Sequence, residues 1–283
     1  MNAKLIPGLL SMVMFISCDK EGPAPVPGEG MIIGHECIEL SAIPGEWVEQ
    51  AKETLHIAYG HTSHGSQVTS GMTGLVGFAG EQYAWNNGGS GRALDLHDYA
   101  MSGDLGNPDR TTWEKETRSY LADNPDVNVI MWSWCGQVSS ASEGDIETYL
   151  DLMTGLEADY PDVVFVYMTG HLDGTGVTGN LHRRNEQIRE HCRTYSKFLF
   201  DFADIESYDP DGNYYLDMGA NDACEYDSDG NGSRDANWAV QWQNAHTEGV
   251  DWYNCGSAHS QPLNANMKAY AAWYLWARIA GWD

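Results

Sequence analysis

Short apolar segments alternate along the chain with longer segments of helical periodicity, and this alternation restricts the possible folds more than any other feature. The apolar segments have the length of strands and are apolar on both faces, as in a covered parallel sheet. They span residues 55–59, 127–134, 163–168 and 199–202. The helical segments span residues 110–122, 143–159, 180–197 and 264–280, with Asn264 as the expected N-cap of the last helix. Such alternation requires βαβ crossovers, so the sequence predicts a three-layer α/β/α domain with a mainly parallel sheet.

The amino terminus has the pattern of a secretory signal. Lys4 precedes an apolar run that is too short to span a bilayer and that ends just before Cys18. This end is similar to a bacterial lipoprotein cleavage box, in which residues 1–17 are removed and Cys18 is lipidated; simple secretion is the alternative. Residues 18–30 are rich in proline and glycine and predict a tether. We therefore expect a domain over residues 31–283 in the cell envelope, facing the periplasm or the exterior, that meets the membrane only through the lipid on Cys18.

The charge and the cysteines exclude some classes of protein. The chain has 41 acidic and 15 basic residues and a formal net charge of −26, which argues against nucleic acid as a partner. Export allows disulfides, but five cysteines remain beyond Cys18, so at least one thiol should be free, and Cys135 is the candidate because it follows an apolar strand and should be buried. No CxxC or HExxH spacing is present, which argues against a zinc motif.

The residues that follow the predicted strands are the candidates for function, since ligands bind beyond the carboxyl ends of parallel strands. After the first strand, Ser63 lies between Gly60 and Gly65 in a turn that could expose a nucleophilic hydroxyl. The alternative is that Ser63 only caps the next helix. The flanking His61 and His64 are candidate substrate-binding residues.

Other strand ends and the last loop complete this candidate site. Gln137 could donate a side-chain N–H to an oxyanion, and the loop at Gly103 could donate a backbone N–H. His171 and Asp173 could bind a polar substrate or a metal, and the adjacent glycines permit close backbone approach. His259 precedes the final helix, where it could act as the general base for Ser63.

The order of these motifs resembles that of the SGNH (GDSL-like) hydrolases. The turn at residues 60–65 is similar to a GHxSxG variant of the family's first block. Residues 180–206 are similar to its N…RN…IR…LFDxAxIE pattern, and residues 258–264 are similar to its last block. The resemblance covers roughly residues 53–283, and the order is more specific than any single motif.

The resemblance implies a flavodoxin-like α/β/α fold and cofactor-free hydrolysis of esters, often acyl groups on carbohydrates. It implies Ser63 as nucleophile and His259 as base, with Gly103 and Gln137 in the oxyanion hole. Two positions depart from the family: Gln137 stands in place of asparagine, and Gly256 in place of the aspartate three residues before the histidine. Without that carboxylate the imidazole lacks its usual partner, unless Asp251 or the backbone replaces it.

An acidic insertion over residues 207–238 separates the fourth predicted strand from the final helix. Part of it matches the start of a calcium-binding loop, with oxygen ligands at alternating positions, although Trp238 stands where such a loop carries glutamate. The candidate ligands are Asp227, Asp229, Asn231, Ser233 and Asp235. Oxygen-only ligands favour a structural Ca²⁺ over a transition metal. The alternative is a solvated turn.

Three functions are compatible with these patterns. The first is a lipid-anchored serine esterase or deacetylase that acts on a glycan or a similar small polar ester. The second is a surface lipoprotein that binds glycans without catalysis, which the missing aspartate favours. The third, a calcium-dependent lyase or nuclease, is supported only by the acidic loop.

Overall fold

In the computed structural model of this chain, residues 31–283 are described, and the predicted signal, the tether and Cys18 lie outside them. Seven strands form one parallel sheet in the order β1-β7-β6-β5-β2-β4-β3. The strands are β1 (Ile32–Ile33), β2 (His56–Gly60), β3 (Trp85–Asn86), β4 (Leu94–Asp98), β5 (Val129–Trp132), β6 (Val164–Met168) and β7 (Leu199–Phe200). The predicted α/β class and the mainly parallel sheet are therefore confirmed.

The helices form two groups around this sheet. They are α1 (Gly45–Thr54), α2 (Ser66–Ala79), α3 (Thr112–Asp123), α4 (Glu143–Asp159), α5 (Asn180–Thr194), α6 (Phe202–Ile205), α7 (Trp238–Ala245) and α8 (Pro262–Ile279). Helix α8 packs against α1 and α2, whereas α4 packs against α3 and α5. The sheet flanked by two helix groups is compatible with a three-layer α/β/α arrangement. None of the helices within residues 31–283 has the length and apolarity needed to cross a membrane.

The strand order creates a switch point between β2 and β5. The chain leaves β2 toward the β3 edge, returns through β4, and then continues from β5 toward the opposite edge of the sheet. At such a point the connections after two neighbouring strands diverge and open a crevice beyond their carboxyl ends. The loops that follow β2 and β5 carry Ser63 and Cys135, so these residues lie beyond the carboxyl ends of the two strands.

Several element boundaries differ from the sequence expectation. The apolar pattern does not predict strand β4, because its sequence mixes leucines with Asp95, His97 and Asp98. The final helix begins at Pro262 with Gln261 as its N-cap, so the expected cap at Asn264 is wrong. Asn264 is instead fully buried within the first turn, where its amide nitrogen donates to Ser260 Oγ at 2.7 Å.

The insertion at residues 207–238 folds as loops around a two-stranded antiparallel ribbon. Its strands are β8 (Glu225–Tyr226) and β9 (Ala236–Asn237). The five described cysteines are all free, and Cys135 is half-buried, not buried as expected.

Candidate active site

Ser63 lies in the tight turn that joins β2 to α2. The turn requires glycine at residue 65, because a Cβ atom there would lie 2.4 Å from His61 Cβ and 2.8 Å from Ser133 Cβ. Tyr59 Oη donates to the Gly65 carbonyl at 3.0 Å and fixes the turn from the core side. This packing holds Ser63 half-buried at the carboxyl edge of the sheet.

The hydroxyl of Ser63 contacts His259, as the sequence predicts. His259 Nε2 lies 3.0 Å from Ser63 Oγ, while the His259 ring is exposed and its φ is +63°. A positive φ at a residue other than glycine is uncommon and often marks a functional loop. Within residues 31–283 no carboxylate hydrogen-bonds to His259; Asp251 instead accepts from the Thr247 N–H at 2.8 Å. The pair is therefore a dyad in the described part of the chain.

A second set of reactive side chains lies directly beside the dyad. His64 Nδ1 is 3.4 Å from Cys135 Sγ, and His64 Nε2 is 2.9 Å from Asp222 Oδ2. Burial lowers the pKa of His64 even though Asp222 opposes that shift. The His64 imidazole thus lies between the Cys135 side chain and the Asp222 carboxylate. Asp222 comes from the insertion, and no sequence motif indicates it.

His171 packs face to face on His64, with ring centroids 3.7 Å apart. Its Nδ1 lies 3.0 Å from the Leu172 carbonyl, which can only accept, so Nδ1 carries the proton. Its Nε2 is buried and has no hydrogen-bond partner among the described residues. One ligand atom from each of His64, His171 and Asp222 lies within 4.8 Å of the others, and no other group of three or more His, Cys, Asp or Glu residues in residues 31–283 converges as closely.

The two predicted oxyanion donors, Gln137 and Gly103, lie in different surroundings. Gln137 Nε2 donates to Asp104 Oδ2 at 2.5 Å, and Gln137 Oε1 accepts from the Cys135 N–H at 2.9 Å. Gly103 has a φ of +101°, and a Cβ atom added there would have nothing within 4 Å. The hydrogen-bond geometry within residues 31–283 assigns no acceptor to the backbone N–H of Ser63 or of His64. The oxyanion role of Gln137 stays a prediction, and its amide is already held by Asp104.

Asp104 links three loops at this edge of the sheet. Besides binding Gln137, its carboxylate accepts a weak hydrogen bond from Thr62 Oγ1 at 3.4 Å, and a bridge joins Leu105 to Trp134. Burial raises the pKa of Asp104 despite these hydrogen bonds. The loops after β2, β4 and β5 are thereby held in one arrangement.

Two other predicted substrate-binding residues, His61 and Asp173, form hydrogen bonds within the loops of the site. His61 is buried, with Nδ1 at 2.8 Å from the Thr62 carbonyl and Nε2 at 2.7 Å from Asp98 Oδ1. Its ring supports Tyr99, which is 57% exposed, has a φ of +52° and lies with its centroid 4.0 Å away. Asp173 caps its own turn by accepting from Thr175 N at 2.9 Å.

A fully buried ion pair lies beneath these loops. Lys268 Nζ is 2.6 Å from Glu206 Oε1, it also donates to Gln67 Oε1, and both charged side chains are 0% exposed. Burial lowers the pKa of Lys268, and Glu206 opposes the shift. Gln67 Nε2 donates to the Ala258 carbonyl at 2.5 Å, and Glu206 Oε2 accepts from Leu172 N at 2.8 Å. The buried pair therefore connects the loops that carry His259 and His171.

The predicted calcium loop is exposed and internally hydrogen-bonded. The carboxylate of Asp227 accepts from the N–H groups of Gly230 at 2.8 Å and Gly232 at 2.6 Å. The carboxylate of Asp235 accepts from the N–H of Ser228 at 3.0 Å. These bonds shape a turn around residues 227–235, and calcium binding there stays a prediction.

No protein-family model matches this chain, and no curated protein matches it. The candidate site therefore rests on its own geometry and on the order of motifs in the sequence.

Proposed function

We propose that this chain is a serine hydrolase of the SGNH type that cleaves esters on a glycan or a similar polar substrate. The observation that supports the proposal most directly is the 3.0 Å separation of Ser63 Oγ from His259 Nε2 at the carboxyl edge of a parallel sheet. A hydroxyl within hydrogen-bond reach of an imidazole is the arrangement that activates a serine nucleophile.

The reaction proceeds in two displacements. As Ser63 Oγ attacks the ester carbonyl, its proton passes to His259 Nε2, and that proton then goes to the departing alcohol oxygen. Water hydrolyses the acyl-serine by the reverse sequence, with His259 again taking a proton. The developing oxyanion is stabilised by the backbone N–H groups of Ser63 and His64 in the turn before α2, and Gln137 joins them if its amide leaves Asp104.

The substrate class is suggested by Tyr99. Its exposed ring lies on His61, two residues before the nucleophile, and an aromatic face supported in this way suits stacking against a sugar. Lipid anchoring at Cys18 would hold such an enzyme in the envelope next to polymeric glycans.

Replacement of single reactive atoms tests the proposal. Ser63→Ala should remove hydrolysis of an activated acetyl ester and of an acetylated polysaccharide, and should also abolish labelling by a serine-directed fluorophosphonate. Cys135→Ser is the matched control, because Cys135 Sγ lies only 3.9 Å from Ser63 Oγ and has its own imidazole. Normal turnover in Ser63→Ala together with loss of turnover in Cys135→Ser would identify the Cys135 thiol as the nucleophile and contradict the proposal.

The second candidate is a non-catalytic glycan-binding protein. It is favoured by one observation, that His259 has no carboxylate partner within residues 31–283. It predicts binding of the acetylated polysaccharide with no release of acetate and no fluorophosphonate labelling of Ser63.

A further inference from the structure

The side chain of His171 carries a lone pair that nothing in the described part of the chain uses. His171 is only 9% exposed, its Nδ1 donates to the Leu172 carbonyl, and its Nε2 is left as a bare acceptor without a partner among residues 31–283. A buried polar atom without a partner is rare and costs free energy. An imidazole whose Nδ1–H is fixed by a carbonyl and whose Nε2 is free has the tautomer of a metal-ligating histidine.

Two further ligand atoms converge on this histidine. Asp222 Oδ2 is 2.9 Å from His64 Nε2, and the His64 ring stacks on the His171 ring, so a turn of one ring about χ2 is needed to direct both lone pairs at one ion. One ligand atom of each residue lies within 4.8 Å of the other two. Because Zn–N and Zn–O distances are about 2.0–2.2 Å, the ligand atoms of a tetrahedral zinc site lie about 3.4 Å apart, so binding would draw these three side chains slightly closer together.

We propose that His64, His171 and Asp222 bind a zinc ion beside the Ser63–His259 dyad. Two imidazole nitrogens and one carboxylate oxygen form the ligand set of an open zinc site, in which water or substrate occupies the remaining position. Imidazole ligands favour zinc and related transition metals, whereas calcium and magnesium select oxygen ligands. The site is therefore distinct in chemistry from the acidic loop at residues 227–235.

The surrounding hydrogen bonds hold these ligands in place. The Leu172 carbonyl accepts from His171 Nδ1 and also from the backbone N–H of Asp222 at 3.1 Å, so one peptide group orients two ligands. Leu172 is itself held by its N–H bond to buried Glu206. On the other side, His64 Nδ1 faces Cys135 Sγ. Such outer contacts orient metal ligands and contribute to affinity.

The ion would also change the chemistry of the dyad, a consequence that rests on the proposed function. His64 directly follows Ser63, and its ring stacks on His259 with centroids 4.4 Å apart. A divalent charge on His64 would stabilise negative charge that develops near Ser63 Oγ or on the ester carbonyl. This would supply electrostatic stabilisation at a dyad that has no carboxylate among the described residues.

Zinc binding is tested on the chain purified without a polyhistidine tag, dialysed against a chelator and then titrated with Zn²⁺ by calorimetry. The wild type should bind one zinc ion per chain, and both His171→Ala and Asp222→Asn should weaken binding at least tenfold. His246→Ala is the matched control, because His246 packs on Trp242 and is not a member of the ligand cluster, and it should bind zinc like the wild type. Circular dichroism establishes that each variant folds, and His171→Gln replaces His171→Ala if the latter does not.

Two further measurements separate this inference from the hydrolase proposal. Ser63→Ala should still bind zinc, so loss of turnover with retained zinc binding in this variant supports both proposals. If the wild type binds zinc but hydrolyses no ester, the metal site is supported and the hydrolase proposal is contradicted. A separate titration with Ca²⁺ reports on the acidic loop, and its result should not change in His171→Ala. Absence of stoichiometric zinc in the wild type, or equal zinc affinity in His171→Ala and Asp222→Asn, would overturn the inference and leave a water molecule as the partner of His171.

Discussion

His259 Nε2 lies 3.0 Å from Ser63 Oγ, although 196 positions of sequence separate the two residues. Helix α2 holds both ends of this contact. Ser63 precedes the helix in the turn after β2, and Gln67, in the first turn of the helix, binds the carbonyl of Ala258 next to His259. The dyad is therefore sensitive to small displacements of the start of α2.

Gly65→Ala should separate the dyad. The new Cβ would lie 2.4 Å from His61 Cβ, closer than any ordinary contact, so the turn must move and Ser63 with it. We expect a loss of stability of about 1–3 kcal/mol from overpacking and a fall in turnover of about 100-fold from misplacement of the nucleophile. Urea unfolding and ester hydrolysis measure the two effects.

Gly77→Ala is the control in the same helix. Gly77 is exposed and a Cβ atom added there would have nothing within 4 Å, so alanine should stabilise α2 by about 0.5–1 kcal/mol and leave turnover unchanged. Equal behaviour of the two variants would show that the turn at Gly65 tolerates a side chain.

Tyr99→Ala should separate recognition of a glycan from ester chemistry. Because the ring is exposed and supported by His61, its removal should raise KM for an acetylated polysaccharide several-fold and leave kcat/KM for a small activated ester unchanged. Tyr195→Ala is the matched control, since Tyr195 is 62% exposed and follows α5. An unchanged KM in Tyr99→Ala would remove the support that Tyr99 gives to a sugar substrate.

The central strands could be predicted from sequence because their signals are local, and the contact of Ser63 with His259 could be predicted because the serine follows a strand and the histidine precedes the final helix. Apolar runs mark β2, β5 and β6, and a glycine-flanked serine follows the first of them. Strand β4 gives no such signal, because Asp95 and His97 interrupt its apolar run. The fold accommodates them because they contact each other at 3.1 Å and Asp95 also contacts His56 Nδ1 at 2.8 Å. The polar sequence of β4 therefore does not have the pattern of a strand in a covered sheet.

The cluster of His64, His171 and Asp222 could not be predicted from sequence, because its members come from three separate loops. His64 follows β2, His171 follows β6 and Asp222 belongs to the insertion, so no fixed spacing links them. Proximity in sequence groups His171 with Asp173, whereas in the fold Asp173 binds Thr175 and His171 packs on His64. Only the fold brings these ligands together, and this explains why the absence of HExxH and CxxC carries no information about this site.

Gln137→Ala tests whether the carboxamide stabilises the oxyanion. If the amide turns from Asp104 to the substrate in the transition state, its loss should lower kcat about 100- to 1000-fold with little change in KM. Gln187→Ala is the control, because the Gln187 amide on α5 donates to the carbonyl of Glu143 at 3.2 Å, away from the dyad. A change in kcat below tenfold would restrict Gln137 to holding Asp104 and the N–H of Cys135.

Lys268→Met should destabilise the protein strongly. Lys268 and Glu206 are both fully buried, so removal of the amine leaves the Glu206 carboxylate without its counterion in the core. Breaking such a pair costs about 3–5 kcal/mol, and replacing both partners costs less, because no uncompensated charge remains. The double variant Lys268→Met with Glu206→Gln should therefore recover part of the loss, as measured by the free energy of unfolding in urea at pH 7.

Lys197→Met provides the comparison for an ion pair near the surface. Lys197 Nζ lies 2.6 Å from Glu157 Oε2, but both side chains are partly exposed, so its loss should cost no more than about 1 kcal/mol. The difference between the free energies of unfolding of the two lysine variants measures how much burial increases the cost of removing one partner of an ion pair. If Lys268→Met cost as little as Lys197→Met, the charge on Lys268 would not be needed for stability, and the link from α8 to the loops of His171 and His259 would rest on hydrogen bonds alone.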